Sequence, residues 1–587
     1  MKRNAEVGLF TKSSIMGDLG GRKMAPAELS VKLQASSGST VKDYLNANLV
    51  NILAAFLFLL LAFFLLYPII SVLLKSLRGP SGFTLEYYRA FFSKNYYFQS
   101  LYNTLLLGAI NTVVCLVIGF CLAYMTTRGP LILRKPLKII SLIPLIAPPY
   151  LFALSLIILF GRNGLVTRMF DLHWQLYGFN GVVISQTLAF IPLAYMMIEN
   201  TLMSLNPNLE ESAYDMGASE ATILRTITIP LLAPGLLKAA LLIFVMTIAE
   251  FGNAAILGGR TPFLAPDTYT LITGESDFNM GSVLSVILIA PCVIIFFIHN
   301  YLLEGKKFTT IGGKPVASEP RKITPLIQVP FIIITTVAAG AIFICFGVVF
   351  VASFYKILGV THNVVLSNYL DFTSNQAIYN SIRVSFVAAV IGAIIGVLLA
   401  YVIVRGKFFG RTFIEMVSLS GFALPGTVLG IGYLLAFSAP PLKLTGGIMI
   451  LALNCVFRFL AVGVEAGISK LHQIHIEIEE ASADLGASFL TTFYKVVLPI
   501  MFPAFIAGFV YTFMTAIVSL SAVVFLVSPG FDLAAVKIFD AAVYGEIGIA
   551  SATTMKLVLI VMVCMLVLNF ISNKTRLGGS MKKSAAV

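Results

Sequence analysis

Uninterrupted apolar runs of about 20 residues recur along the whole chain, and a run of that length crosses the hydrocarbon core of a bilayer as one helix. A hydropathy scan gives twelve such runs. They fall at roughly 50–76, 101–126, 138–160, 181–204, 232–257 and 281–303, then at 327–354, 380–404, 413–438, 446–468, 504–527 and 550–572. The run at 446–468 is the one most interrupted near its middle, by Asn454 and Arg458. Of the 587 residues, 58% are hydrophobic and 11% charged, where a soluble protein has about 25% charged. Mean hydropathy is +0.93. These values exclude a soluble enzyme, a disordered chain and a disulfide scaffold. The expected class is an all-α polytopic membrane protein with about twelve transmembrane helices.

The formal net charge is +13, and its distribution says what it is for. With the N-terminus inside and twelve alternating spans, the inside segments hold 26 Lys and Arg and the outside loops hold 10. This positive-inside bias assigns the basic excess to topology and lipid contact, and no nucleic-acid motif accompanies it. Both termini are expected to be cytoplasmic, in a bacterial cytoplasmic (inner) membrane. Residues 1–47 read as a polar cytoplasmic tail with seven Lys and Arg, and the apolar run that follows is too long for a signal peptide. The six cysteines all fall in apolar runs and read as small core residues.

The chain repeats itself. Asn103–Gly129 matches Asn380–Gly406 at an offset of 277, with Asn, Gly119/Gly396, Tyr124/Tyr401 and Arg128-Gly129/Arg405-Gly406 coinciding, and Pro148 matches Pro425. A second block, Glu211–Pro234, matches Glu480–Pro503 at an offset of 269. Six spans per half is an even number, so the halves enter the membrane in the same direction and form parallel repeats. The expected organisation is a first six-helix repeat at 48–305, a cytoplasmic linker at 306–325, a second repeat at 326–573 and a cytoplasmic tail at 574–587.

The second block lies in inside loops and reads as helix, turn, helix. Gly217 and Gly486 suit the left-handed residue that ends a short helix. Ser219 and Ser488 suit the cap of the next, and Pro230 and Pro499 suit the first turn of a transmembrane helix. Leu209, Ala213, Met216 and Ile223 are expected to stripe one face of the resulting knob.

These blocks resemble the "EAA" loop of permease subunits of ATP-binding-cassette importers, E-A-A-x3-G-x9-I-x-L-P. One copy has Glu211, Ser212, Ala213, Gly217 and Pro230; the other has Glu480, Ala481, Ser482, Gly486 and Pro499. The departures, Ser212, Ser482 and Ile229, keep the acid and the turn. The resemblance implies the type I importer permease fold and a loop whose short helix docks into a groove on a nucleotide-binding subunit, with Glu211 and Glu480 facing its basic groups. The chain has no G-x-x-x-x-G-K-[ST] sequence. It is therefore expected to be a translocation subunit without enzymatic activity or a cofactor of its own, with ATP-Mg held by a partner ATPase. Two loops in one chain imply two ATPase copies, and an external substrate-binding protein would deliver the cargo.

The likeness is nearest to the fused, double-length permeases of ferric-iron uptake, through Ile248–Gly259 and Leu520–Pro529. Permeases for phosphonates, sugar phosphates, polyamines or thiamine look similar, and an ion-coupled secondary transporter is a more remote alternative that would need no ATPase. No metal-ligand set stands out; His472 and His475 have helical metal spacing but adjoin the docking loop. Glu250 and Arg458 are the candidate pathway residues, because ionisable groups within spans are costly and tend to be functional. Glu199 and Glu465 are read as lying at corresponding inner ends of their spans, as interhelix or interfacial groups.

Overall fold

The computed structural model describes residues 49–584, apart from 305–323 and single positions at 81, 172, 362, 422 and 441. The expected tail at 1–47 and nearly all of the linker at 306–325 lie outside the described residues. Twelve principal helices follow one another. The first half has α1 Leu49–Ser76, α2 Asn95–Thr127, α3 Leu151–Phe160, α4 Phe179–Ser204, α5 Glu220–Ala249 and α6 Phe278–Glu304. The second has α7 Pro325–Ala352, α8 Phe372–Arg405, α9 Gly426–Phe437, α10 Ile448–His472, α11 Phe489–Val518 and α12 Ile547–Ser584.

Among the described residues, eleven helices are long and apolar enough to cross a membrane, the third of them counted as Leu151–Phe170, in which α3 runs on into Leu165–Phe170; the expected crossing at 413–438 is not one of them. It is divided between Arg411–Ser420 and the twelve-residue α9. The matching run at 138–160 is divided too, at Pro148-Pro149, between Leu131–Leu142, a short 3-10 turn and α3. Proline lacks the donor that continues a helix and pushes the preceding residue out of helical geometry. Arg458, which interrupts an apolar run in sequence, leaves α10 unbroken.

Each half is centred on a crossing of its second, fourth and fifth helices, where small residues bring backbones close. A Cβ on Gly119 would sit 2.7 Å from that of Ala194, and one on Gly508 would sit 3.0 Å from the Gly463 Cα. The first half adds a polar clamp. Thr187 donates to the Asn111 carbonyl at 2.6 Å, and the Asn111 amide donates to Thr247 at 3.0 Å. The second half has Ala388, Val456 and Ala516 at these positions and relies on glycine packing. Gly508→Leu is expected to lower stability by about 1–3 kcal/mol, the usual cost of overpacking. The check is the thermal midpoint of the purified chain against Gly340→Leu, whose added Cβ meets nothing within 4 Å. Equal midpoints would contradict close packing at 508.

The first helix of each half lies on the other half. α1 packs against α9: the Tyr433 hydroxyl donates to the Phe64 carbonyl at 2.7 Å, and the Phe64 and Phe457 rings stack at 5.1 Å. α7 packs against α2 and α3. The two repeats are thereby interlocked.

Candidate functional site

The repeated block folds as a compact knob in both halves. Asn208–Asp215 and Glu477–Asp484 are two-turn helices. Gly217 and Gly486 follow at φ +84° and +86°, a conformation that costs a side-chain-bearing residue roughly 1–2 kcal/mol. The Ser219 hydroxyl then accepts from the Thr222 N–H at 3.2 Å, and that of Ser488 from the Thr491 N–H at 3.3 Å. These are the N-caps expected from sequence. Pro230 and Pro499 stand in the first turn of the regular α-helical stretches Ile229–Ala249 and Leu498–Val518, as expected, but these stretches continue helices that begin earlier. α5 and α11 already start at Glu220 and Phe489 and pass through one wide π turn, Leu224–Thr228 and Phe493–Val497, immediately before the Pro-containing turn. The N–H of Ile229 reaches five residues back to Leu224, and that of Leu498 to Phe493. This π register accommodates the proline without ending the helix.

The single apolar stripe is not formed. Ala213 and Ile223 are buried, while Leu209 and Met216 are exposed, Met216 at 81%. The knobs instead present mixed outer surfaces. Glu211, Ser212, Tyr214 and Met216 are exposed on the first; Glu480, Ala481, Leu485 and Tyr494 are exposed on the second. Ser482 faces inward, 2.9 Å from the Thr492 hydroxyl.

The neighbouring acids hold the knobs to the helix bundle. Arg128 Nε donates to Glu210 at 3.0 Å, and Glu210 also accepts from Thr228 at 2.9 Å. In the second half Arg405 Nε donates to Glu479 at 2.8 Å, its Nη2 reaches the Ile474 carbonyl at 3.0 Å, and the Tyr401 hydroxyl donates to Glu479 at 3.1 Å. All four charged side chains of these pairs are at most 14% exposed. Each pair pins a knob to the end of the long second helix of its own half. Tyr124, the counterpart of Tyr401, donates instead to Glu220, whose place in the second knob is taken by Phe489. Sequence reading singled out Glu211 and Glu480 and passed over Glu210 and Glu479. The signal was present in the repeated Arg-Gly pairs and the doubled glutamates.

α5 and α11 lead from the knobs to a cavity of about 210 Å³ between the halves. Glu250 and Arg458, read separately from sequence, both line it, with Tyr150 and Phe190 from one half and Tyr511 and Ser519 from the other. Glu250 accepts from Gln186 at 3.1 Å and from the Asn253 N–H at 2.9 Å. Arg458 donates to Ser519 at 2.9 Å and to Ser521 at 3.0 Å. Glu199 and Glu465 are not counterparts. The α4 and α10 contacts keep the 269 register, which pairs Glu199 with Ile468. Glu199 is buried against Lys138 and Tyr195, whereas Glu465 is exposed.

Next to Phe251, which lines the cavity at the end away from the knobs, aromatic rings of the two halves meet. Phe251 and Tyr269 of the first half meet Phe539 at 5.4 and 6.2 Å, and Tyr269 meets Phe525 at 5.6 Å. The segments that carry these rings are tied down in the same way twice. Asn103 and Asn380 donate to the carbonyls of Pro262 and Asp532, each at 3.1 Å, and the N–H groups of Leu264 and Ala534 donate to Thr104 and Ser381. This gives the repeated Asn a purpose that the alignment alone did not. The metal spacing of His472 and His475 is not matched in space: among the described residues no group of three His, Cys, Asp or Glu could hold a metal ion.

Paired knobs on interlocked parallel repeats, with a cavity between them, define a membrane permease. Residues 115–307 match the family described as binding-protein-dependent transport system inner membrane component. The chain is 30% identical over 541 residues to the ferric transport system permease protein FbpB of Actinobacillus pleuropneumoniae, covering 90% of this chain and 79% of that one. It is 31% identical over 489 residues to the putative ferric transport system permease protein FbpB 1 of Haemophilus influenzae, covering 80% and 77%. A Mycoplasma genitalium homolog of the spermidine/putrescine permease PotC is 26% identical over 275 residues, 44% of this chain and 94% of its own. The chain belongs to this family of importer permeases, the membrane components of ATP-binding-cassette transporters, as its two repeated loops led one to expect.

Proposed function

We propose that this permease conducts ferric iron, handed over by an external binding protein, and that two copies of a separate ATPase drive it from the two knobs. The observation that carries the cargo reading is the similarity to two ferric transport permeases over 79% and 77% of their own lengths. In this reading the knobs and both termini face the cytoplasm of a bacterial cell, and ATP-Mg is held by the partner ATPases.

Closure of the ATPases on ATP draws the knobs together. The Arg128–Glu210 and Arg405–Glu479 pins carry that movement to the ends of α2 and α8. The halves rock, the cluster around Phe251 and Phe539 parts, and cargo enters the cavity; relaxation reverses the order. The nucleotide acts only through its different affinity for the two arrangements. Glu250 and Arg458 line the route. If Glu250→Ala and Arg458→Ala both leave transport and membrane abundance unchanged, their place in the route is lost.

The cargo is tested by radioactive iron uptake in a deletion strain carrying the full chain on a plasmid. Restoration of ferric uptake is expected. Unchanged iron uptake in the deletion strain, together with loss of uptake of a phosphonate or polyamine, would overturn the iron assignment.

A further inference from the structure

The cavity carries a charge arrangement that the duplication did not copy. Gly119 meets Ala194 and Tyr195 in one half, and Gly396 meets Gly463 and Val464 in the other, which fixes the register of α4 against α10. In that register Arg458 stands where the first half has Ala189, and Ser519 stands where it has Glu250. At the start of α9, Pro425 matches Pro148, so Gly426 stands where the first half has Pro149. A Cβ on Gly426 would lie 2.5 Å from the Arg458 Cζ and would collide with the Ser521 hydroxyl. The second half has a large cation at 458, where the first has Ala189, and a residue small enough at 426 to admit it.

Among the described residues the cation has no ion-pair partner. Its polar partners are the Ser519 and Ser521 hydroxyls, and it lies 5.0 Å from the Phe459 ring. α9 begins beside it at Gly426, and the amides of a helix's first turn lack intrahelical acceptors and carry partial positive charge. Arg458 is thus a cation at one wall of the cavity, where an unpaired charge is costly. The other wall carries the Glu250 carboxylate, held by neutral partners, and the Tyr150 hydroxyl, buried without a partner. At about 210 Å³ the cavity has room for a small ion and its ligand.

We infer that Arg458, Ser519 and Ser521, at the N-terminus of α9, form an oxyanion site within the cavity, opposite a cation-facing wall at Glu250. The ligand class is a small oxyanion of the phosphate or carbonate kind. It reaches the site either bound to the metal cargo or as a free anion resident in the pathway. This rests on the reading of the cavity as the route of cargo.

The test uses Thr515→Cys, a lining position outside the oxyanion site, in membranes containing the full transporter, with labelling by a small thiol reagent. Labelling without added anion is expected. Inorganic phosphate should slow it about tenfold or more, as one charge-assisted contact can, and Arg458→Gln in the same background should abolish that protection while Arg458→Lys retains part of it. Absence of labelling would sink the accessible cavity and the site with it. Labelling that phosphate leaves unchanged, or protection that persists in Arg458→Gln, would overturn the oxyanion site and leave the route intact. Parallel uptake of radioactive phosphate with radioactive iron would assign the anion to the cargo; iron uptake alone, with phosphate protection present, would assign it to a resident ion.

Discussion

Arg405→Ala is expected to reach the membrane at near-normal abundance and to transport at roughly a tenth of the parent rate or less. Removing one partner of a largely buried pair strands the other charge, at about 3–5 kcal/mol. Here the stranded group is Glu479, with Tyr401 as its remaining side-chain partner. The knob also loses the bond from Arg405 to the Ile474 carbonyl. It can relieve the cost only by pulling away from the end of α8, which breaks the link through which a docked motor moves the half. Arg405→Ala/Glu479→Gln removes the stranded charge and should recover part of the loss. ATP-dependent uptake in vesicles, normalised to permease content, reads both. Parent-like transport in the single variant would show that the pin carries no force.

Gly217 and Gly486 give the second large effect, and it is graded. Both sit at φ near +85° with open space around the position of a Cβ, so a substitution acts on the backbone and not through a clash. Both N–H groups are used, to the Tyr214 and Ala483 carbonyls at 2.8 and 2.9 Å. Asparagine tolerates the left-handed region and should preserve most transport. Alanine pays the conformational cost of about 1–2 kcal/mol and should transport less. Proline fixes φ near −65° and deletes the donor, so it must unfold the turn. Either proline variant is expected to leave the permease inserted while ATP hydrolysis by the complex is no longer matched by uptake. ATPase activity and uptake measured on the same vesicles decide it, and normal coupling in both proline variants would refute the knob's role.

What could be read from sequence was whatever depends on neighbours along the chain. The left-handed glycines and serine caps follow rules that span four residues, and Gly217, Gly486, Ser219 and Ser488 obey them. The apolar runs follow from the thickness of a bilayer, and they predict every long helix. The 413–438 run misleads because hydropathy does not register the break before Gly426. The pins escaped notice because Arg128 and Glu210 are 82 residues apart, and Arg405 and Glu479 are 74 apart. The aromatic closure was hidden because its rings sit in segments too short to stand out in a twenty-residue window. Glu199 and Glu465, 266 residues apart, were paired wrongly from their similar depth in their spans; neither the 277 nor the 269 offset joins them, and sequence does not say where one offset gives way to the other. Helix contacts at Gly119 and Gly396 locate the shift.

In the proposed mechanism the two ATPase copies grip both knobs from one side of the membrane. Met216→Cys and Leu485→Cys place thiols on the exposed tips, 81% and 89% accessible in the parent residues. In sealed vesicles of known orientation, both should react with a membrane-impermeant thiol reagent from the cytoplasmic face alone, and both should cross-link to the ATPase subunit in the assembled transporter. Reaction of the two positions from opposite faces, or a knob that reacts but never cross-links to the ATPase, would contradict it.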